Sequence, residues 1–281
     1  MELRNINLVA MFDSLTQFHW QNQIDVSRIL DELGNPRRIR LPHKLSLSLI
    51  IPAYNEAKRI AQTVGEARDY FARRNLSCEI IVSADGDDGT RELVAEMATR
   101  DPMLRVIGSV ERRGKGYAIR QAVALVRGEI IGFLDADNKT PIDEFAKFEP
   151  YLGDGCEVVI GSRGMRGSQI ERAQPLYRRL GSKGFGMFMH AVVGLPGIID
   201  TQCGFKFFQR HVALDLFNRQ KLDGYMFDVE ILYLAQRAGY RIAQVPVRWH
   251  DDGDSRLVLL GGNIRNAVDI FRIRFGNSDA P

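Results

Sequence analysis

Two aspartates one residue apart, Asp135 and Asp137, end the run Ile131-Gly132-Phe133-Leu134 in the stretch FLDADNKTP, residues 133–141. Like charges this close repel, and each resists ionisation unless something positive lies between them. A divalent ion that prefers oxygen, Mg2+ or Mn2+, is the natural partner, and the two phosphates of a nucleotide-linked substrate would be its further ligands. A lone Asp-X-Asp is equally at home as a strand-end turn, because Asp and Asn favour turns. The placement of the pair therefore has to decide.

Other constellations share this character. In RRGKG, residues 112–116, the cations Arg112, Arg113 and Lys115 stand beside glycines whose backbone can approach an anion, just before a helical pattern. A helix N-terminus would add N–H donors to a phosphate there; the alternative is a solvated basic turn. The spacing is not that of a GxxxxGK[ST] loop. Asp85-Gly86-Asp87-Asp88 is a rival acidic cluster, read as a loop with Asp85 nearest its strand. Arg163 in GSR, with arginines at 166, 172, 178 and 179, gives a basic rim. It borders residues 184–199, which contain no Asp, Glu, Lys or Arg. A cationic rim beside an uncharged segment would suit a phosphate on a lipid tail; a solvated helix followed by a buried one is the plainer reading. His190 reads as a packed histidine. Asp200, Asp228 and Glu230 are acids in apolar surroundings and need partners, structural or functional. Two residues apart on one helix, Asp228 and Glu230 do not share a face, so at most one is expected to point inward.

The elements that must position these groups alternate. Strand patterns at 45–55, 78–90, 104–110 and 129–137 are separated by helical patterns at 56–75, 91–100 and 116–128, with Thr90 as an N-cap candidate. The strands are too uniformly apolar to have a wet face, which predicts an α/β fold: a mostly parallel sheet with helices on both faces. Ligands in such folds sit beyond the carboxyl ends of the strands. Asn55-Glu56, the Asp85 turn and Asp135/Asp137 all fall at such ends. Further strands are expected at 156–164 and 240–249, and a helix at 224–239. An amphipathic C-terminal helix is expected over 255–275, with Leu257, Leu260, Ile264, Val268 and Phe271 at helical spacing among Arg256, Arg265, Arg272 and Arg274. The expected division is an N-terminal extension (1–44), a catalytic domain (45–250) and a C-terminal amphipathic tail (251–281).

With 281 residues, 45% hydrophobic, 26% charged and a net charge of +3, the composition is that of an ordinary globular protein. The charge suits anionic ligands or an anionic membrane surface and falls well short of a nucleic-acid binder. Cys78, Cys156 and Cys203 are odd in number and far apart, so neither a disulfide nor a zinc site is expected. The N-terminus does not read as a signal peptide. Nothing reaches the roughly 18 consecutive apolar residues of a spanning helix, so any membrane association would be peripheral.

Taken in order, IIPAYNEAKRI, IVSADGDDGT, RGKGYAIRQA, FLDADNKTP, VIGSR, DTQCGFKFF and FDVEILYLAQRAGYRIAQVPVRW resemble the glycosyltransferases of family 2, which have the GT-A fold. Within that family they look most like the branch that transfers a sugar to dolichyl or other polyprenyl phosphates. The resemblance covers roughly residues 46–249. It implies an inverting, metal-dependent transfer, with Mg2+ or Mn2+ as cofactor. The implied donor is UDP-glucose and the implied acceptor a polyprenyl phosphate on the cytoplasmic membrane face. It implies that Pro52, Ala53, Tyr54 and Glu56 line the nucleotide pocket, that Asp85 reads the uracil edge and that Lys115 lies near the diphosphate. Asp135 and Asp137 would hold metal and donor, and Arg163, with Arg113 and Arg172, a phosphate. The turn after Val82 keeps only one of the family's usual paired acids. Lys139 stands where the mannosyl branch often has a metal-binding glutamine, which disfavours GDP-mannose as donor. A phosphate acceptor is already anionic and needs no strong base, whereas a soluble or saccharide hydroxyl acceptor would make Asp200 or Asp228 essential. A homo-oligomer and a nucleotide-sugar binder without turnover are further alternatives.

Overall fold

A computed structural model describes residues 47–170, 186, 189, 192–250 and 261–276, with side chains in the last segment from 265 onward. The expected extension 1–44, Arg172, Arg178, Arg179, His190, Leu257 and Leu260 lie outside the described residues.

The chain alternates β1 (Leu47–Tyr54), α1 (Ile60–Arg73), β2 (Cys78–Asp85), α2 (Thr90–Ala98), β3 (Leu104–Ile107), α3 (Lys115–Val123) and β4 (Ile130–Leu134). A 3-10 turn (Ile142–Lys147) and α4 (Glu149–Gly153) lead to β5 (Val158–Ser162) and the short β6 (Gln169–Ile170). Then follow β7 (Phe205–Gln209), α5 (Arg210–Arg219), α6 (Phe227–Arg237), β8 (Ile242–Pro246), β9 (Arg248–Trp249) and α7 (Gly261–Gly276). The main sheet has the order β3-β2-β1-β4-β7-β5-β8. Every neighbour pair is parallel except those of β7, which runs antiparallel to both β4 and β5.

Period-two alternation divides the core between the two faces of the sheet. Ile50, Ile81, Ile131 and Phe133 pack with α3, α5, α6 and α7. Leu49, Ile51, Val82 and Leu134 pack with α1, α2 and the 3-10 turn. On this second face Phe145, Phe148, Phe205 and Phe207 interlock at centroid distances of 4.7 to 5.5 Å. Gly132 lies opposite Phe207 in the ladder, and a Cβ there would come within 2.2 Å of that ring. The expectation that only one of Asp228 and Glu230 points inward is overturned, since both are buried. Residues 227–235 of α6 are buried all round, so each acid finds its own partner on a different side.

The reversal of β7 matters for the site. Leu134, the last residue of β4, pairs with Phe205, the first of β7. The loop entering β7, residues 200–204, therefore arrives at the carboxyl edge of the parallel strands, beside Asp135.

Candidate active site

Asp135 follows β4 directly, and its backbone N–H donates to the Gly204 carbonyl at 3.2 Å. Gly204 leaves room for the Asp135 carboxyl group where it stands: a Cβ here would lie 2.0 Å from Asp135 Oδ2. Lys115, the first residue of α3, reaches the same carboxylate, with Nζ 2.7 Å from Asp135 Oδ1. Behind it Asp228 Oδ2 lies 3.7 Å from Lys115 Nζ, and Lys206 Nζ is 2.5 Å from Asp228 Oδ1. Lys206 also donates to the Cys203 carbonyl at 2.7 Å and is fully buried. Lys206, Asp228, Lys115 and Asp135 thus form a line of alternating charge from the core to the sheet edge. Burial alone would lower the Lys115 pKa; Asp135 and Asp228 outweigh it and hold the ammonium above the usual lysine range.

Asp137 has a separate partner. Lys139 Nζ lies 3.2 Å from its Oδ2 and the Lys139 backbone N–H 3.4 Å from its Oδ1. Burial, and then the negative Asp135, push the Asp137 pKa up, with Lys139 pulling the other way. Two cations lie near Trp249: Lys139 Nζ is 6.0 Å and the Arg163 guanidinium 5.4 Å from its ring centroid. Arg163 extends from the end of β5 and is clamped by Asp200. Although burial opposes it, Arg163 lowers the Asp200 pKa to about 2.

On the other flank, Tyr54 and Asp85 are register partners at the ends of β1 and β2, beside Pro52, Ala53 and Glu56. The Asp85 oxygens accept the backbone N–H groups of Ser109 (3.2 Å) and Arg113 (3.1 Å), so this buried acid ties β2 to the basic loop. That loop turns through Gly114 at φ 115°, where a Cβ would press on the Asp223 carbonyl at 2.3 Å. The Arg112 guanidinium lies 4.4 Å from the Tyr54 ring centroid. Arg113 turns to the Tyr117 hydroxyl at 2.6 Å.

The structure therefore brings together Asp135, Lys115 and Asp228 in one group and Asp137, Arg163 and Asp200 in the region around Trp249. Arg172 lies outside the described residues. Two residues of the site were missed from sequence: Lys206 is a lone cation inside the apolar run GFKFF, and Trp249 ends a strand pattern.

Two carboxylates from one turn are a donor set suited to Mg2+ or Mn2+. Among the described residues no cluster of three or more His, Cys, Asp or Glu side chains is arranged as metal ligands. A metal held by Asp135 and Asp137 would fill its remaining positions with phosphate oxygens and water.

A sheet edge that gathers a basic loop and two strand-end aspartates is the arrangement expected of a transferase of nucleotide-activated groups. The family model described as glycosyl transferase family 2 matches residues 48–217. The chain belongs to that family and is a glycosyltransferase. It is similar to a dolichyl-phosphate β-glucosyltransferase of Trichomonas vaginalis, with 37% identity over 83% of this chain and 72% of the relative. A dolichyl-phosphate β-glucosyltransferase of Homo sapiens is 33% identical over 81% of this chain and 74% of its own. Among solved structures, mannosyl-3-phosphoglycerate synthase from Rubrobacter xylanophilus superposes with a TM-score of 0.61 at 20% identity, covering 89% of this chain and 77% of that one. Glucosyl-3-phosphoglycerate synthase from Mycobacterium tuberculosis, solved with Mn2+, UDP-glucose and phosphoglyceric acid, gives 0.60 at 20% identity, covering 94% and 88%. These likenesses establish the GT-A fold.

Proposed function

We propose that the protein transfers glucose, with inversion, from UDP-glucose to a polyprenyl phosphate at a membrane surface. The observation that carries this reading is the state of the two acids that could serve as a base. Asp200 is held as a carboxylate by Arg163, and Asp228 is wedged between Lys206 and Lys115. A site in which both of these acids are engaged suits an acceptor that arrives already ionised, as a lipid phosphate does. The relatives named for dolichyl-phosphate glucosyl transfer support the same acceptor and sugar.

In this mechanism Pro52, Tyr54 and Asp85 border the nucleotide, and Arg112 stacked on Tyr54 closes its rim. Lys115 moves its charge from Asp135 toward the leaving diphosphate. A Mg2+ or Mn2+ ion on Asp135 and Asp137 would supply the remaining neutralisation of that leaving group. Arg163, oriented by Asp200 and Trp249, offers a guanidinium to the acceptor phosphate. The phosphate oxygen then attacks the anomeric carbon from the face opposite the nucleotide, inverting it.

The membrane part of the proposal rests on α7. Ile270 and Ile273 anchor it in the core, while Val268, Phe271 and Phe275 are exposed, with exposed Arg265, Arg272 and Arg274 around them. An outward apolar stripe flanked by arginines fits an anionic lipid interface, with the protein on the cytoplasmic face. Among the described residues no helix is long and apolar enough to cross a membrane.

The test is nucleotide release from a panel of UDP- and GDP-sugars, with Mn2+ or Mg2+, with and without a short polyprenyl phosphate. Lipid-dependent UDP release from UDP-glucose, lost in Asp137→Ala, is the expected result. Release indifferent to the lipid would move the assignment to a soluble acceptor.

A further inference from the structure

Lys139 stands where it must meet whatever Asp137 binds. Its ammonium is 3.2 Å from Asp137 Oδ2, and its side chain is only 12% exposed. Trp249 lies along it, and its carbonyl accepts the His250 backbone N–H at 2.8 Å, so the segment is fixed from two sides. Asp135 is likewise matched by Lys115 at 2.7 Å. Each carboxylate of the pair therefore already carries a lysine, and the four groups together are neutral. A divalent ion entering this cluster alone leaves two uncompensated positive charges in a partly desolvated site, where like charges repel more strongly than in water. A nucleoside diphosphate entering with the ion removes that excess. The two lysines are not equivalent, because Lys115 belongs to the phosphate-facing loop and helix whereas Lys139 lies on the Trp249 side.

We propose that Lys139 is a resident counter-cation of Asp137 that competes with the divalent ion, so that the ion binds tightly only together with the nucleoside diphosphate. The inference rests on the reading of Asp135 and Asp137 as the metal carboxylates. Lys139 does not ligate the ion; it sets how strongly ion and nucleotide depend on one another. Coupling between two ligands is reciprocal, so the same residue makes UDP binding depend on the ion.

The experiment measures Mn2+ binding by the electron paramagnetic resonance signal of the free ion, with and without UDP. It compares the wild-type protein with Lys139→Met and Lys139→Arg, each checked for an unchanged thermal transition. In the wild type, UDP tightens Mn2+ binding. In Lys139→Met, Mn2+ binding without UDP tightens about tenfold and the UDP-dependent gain shrinks by the same factor, within the usual range of such couplings. Lys139→Arg, which restores the charge, returns the wild-type behaviour. If UDP tightens Mn2+ equally in the wild type and Lys139→Met, this inference fails and the proposed function stands. If the wild type binds no Mn2+ even with UDP, both fail.

Discussion

Asp200 closes around Arg163. Its Oδ2 accepts Arg163 Nε at 2.7 Å and the Arg163 backbone N–H at 2.9 Å, while Oδ1 accepts Nη2 at 2.9 Å and the Gln202 backbone N–H at 3.1 Å. A carboxylate with four donors and a pKa near 2 holds a proton too weakly to act as a general base at neutral pH. Asp200→Asn should therefore leave the shape of the pH–rate profile unchanged while weakening acceptor binding through a misplaced Arg163. An acid-side limb of the wild-type profile that disappears in the variant would restore Asp200 as the base and with it a hydroxyl acceptor.

The same pair predicts a pH dependence of stability. The folded-state pKa of Asp200 is depressed, so its contribution is complete above the unfolded value of about 3.9 and is lost as pH falls through the folded value. Asp200→Asn should cost roughly 2 kcal/mol at pH 7. The gap between wild type and variant in urea midpoint should narrow below pH 4 and close toward pH 2.

Lys206 and Asp228 should behave as one unit. Removing one member leaves the other charged and buried, a change that typically costs about 3–5 kcal/mol. Lys206→Met and Asp228→Asn are each expected to lower the urea midpoint strongly, and the double variant by clearly less than the sum. Additive losses would mean that the contact carries no coupling energy.

Gly204→Ala isolates the site from the fold. The three atoms nearest the added methyl all belong to the Asp135 carboxyl group, and that side chain can rotate away. The expected outcome is about a tenfold or greater loss of UDP affinity with Mn2+, since a sub-ångström misplacement of a charged ligand is costly. The urea midpoint should move little. Unchanged UDP binding would remove Asp135 from the donor site.

The order of strands and the strand-end acids were readable because apolar runs and Asp/Gly turns alternate locally along residues 47–137. What escaped depends on contacts between distant segments. FKFFQ carries no strand in the sequence reading, and only its pairing with β4 and β5 reveals one that runs against its neighbours. Gly132 looks like a weak point in a strand until Phe207 is placed opposite it. The spacing of Asp228 and Glu230 presupposes a wet face, which α6 lacks; Glu230 instead accepts the backbone N–H groups of Lys221 and Leu222. The β4 strand ends at Leu134 rather than Asp137, which frees both aspartates to turn at the edge. The role of Asp85 in holding the 109–113 loop involves backbone donors, which no residue pattern displays.

The outward face of α7 makes the membrane proposal testable independently of catalysis. Phe271 and Phe275 stack with centroids 6.4 Å apart, and Phe275 is 70% exposed, so a polar residue there should leave the core side of the helix, Ile270 and Ile273, in place. Burying one phenylalanine in the interface is worth on the order of 1.5 kcal/mol or more. Phe275→Ser should therefore reduce co-sedimentation with vesicles rich in phosphatidylserine by about tenfold. Replacing Arg265 and Arg274 with glutamine should weaken binding to those vesicles at low salt but leave the weaker binding to pure phosphatidylcholine unaffected, because each arginine near an anionic surface contributes about 1 kcal/mol. Vesicle binding that survives all three substitutions at low salt would assign the contact to another part of the chain and leave α7 with a purely structural role.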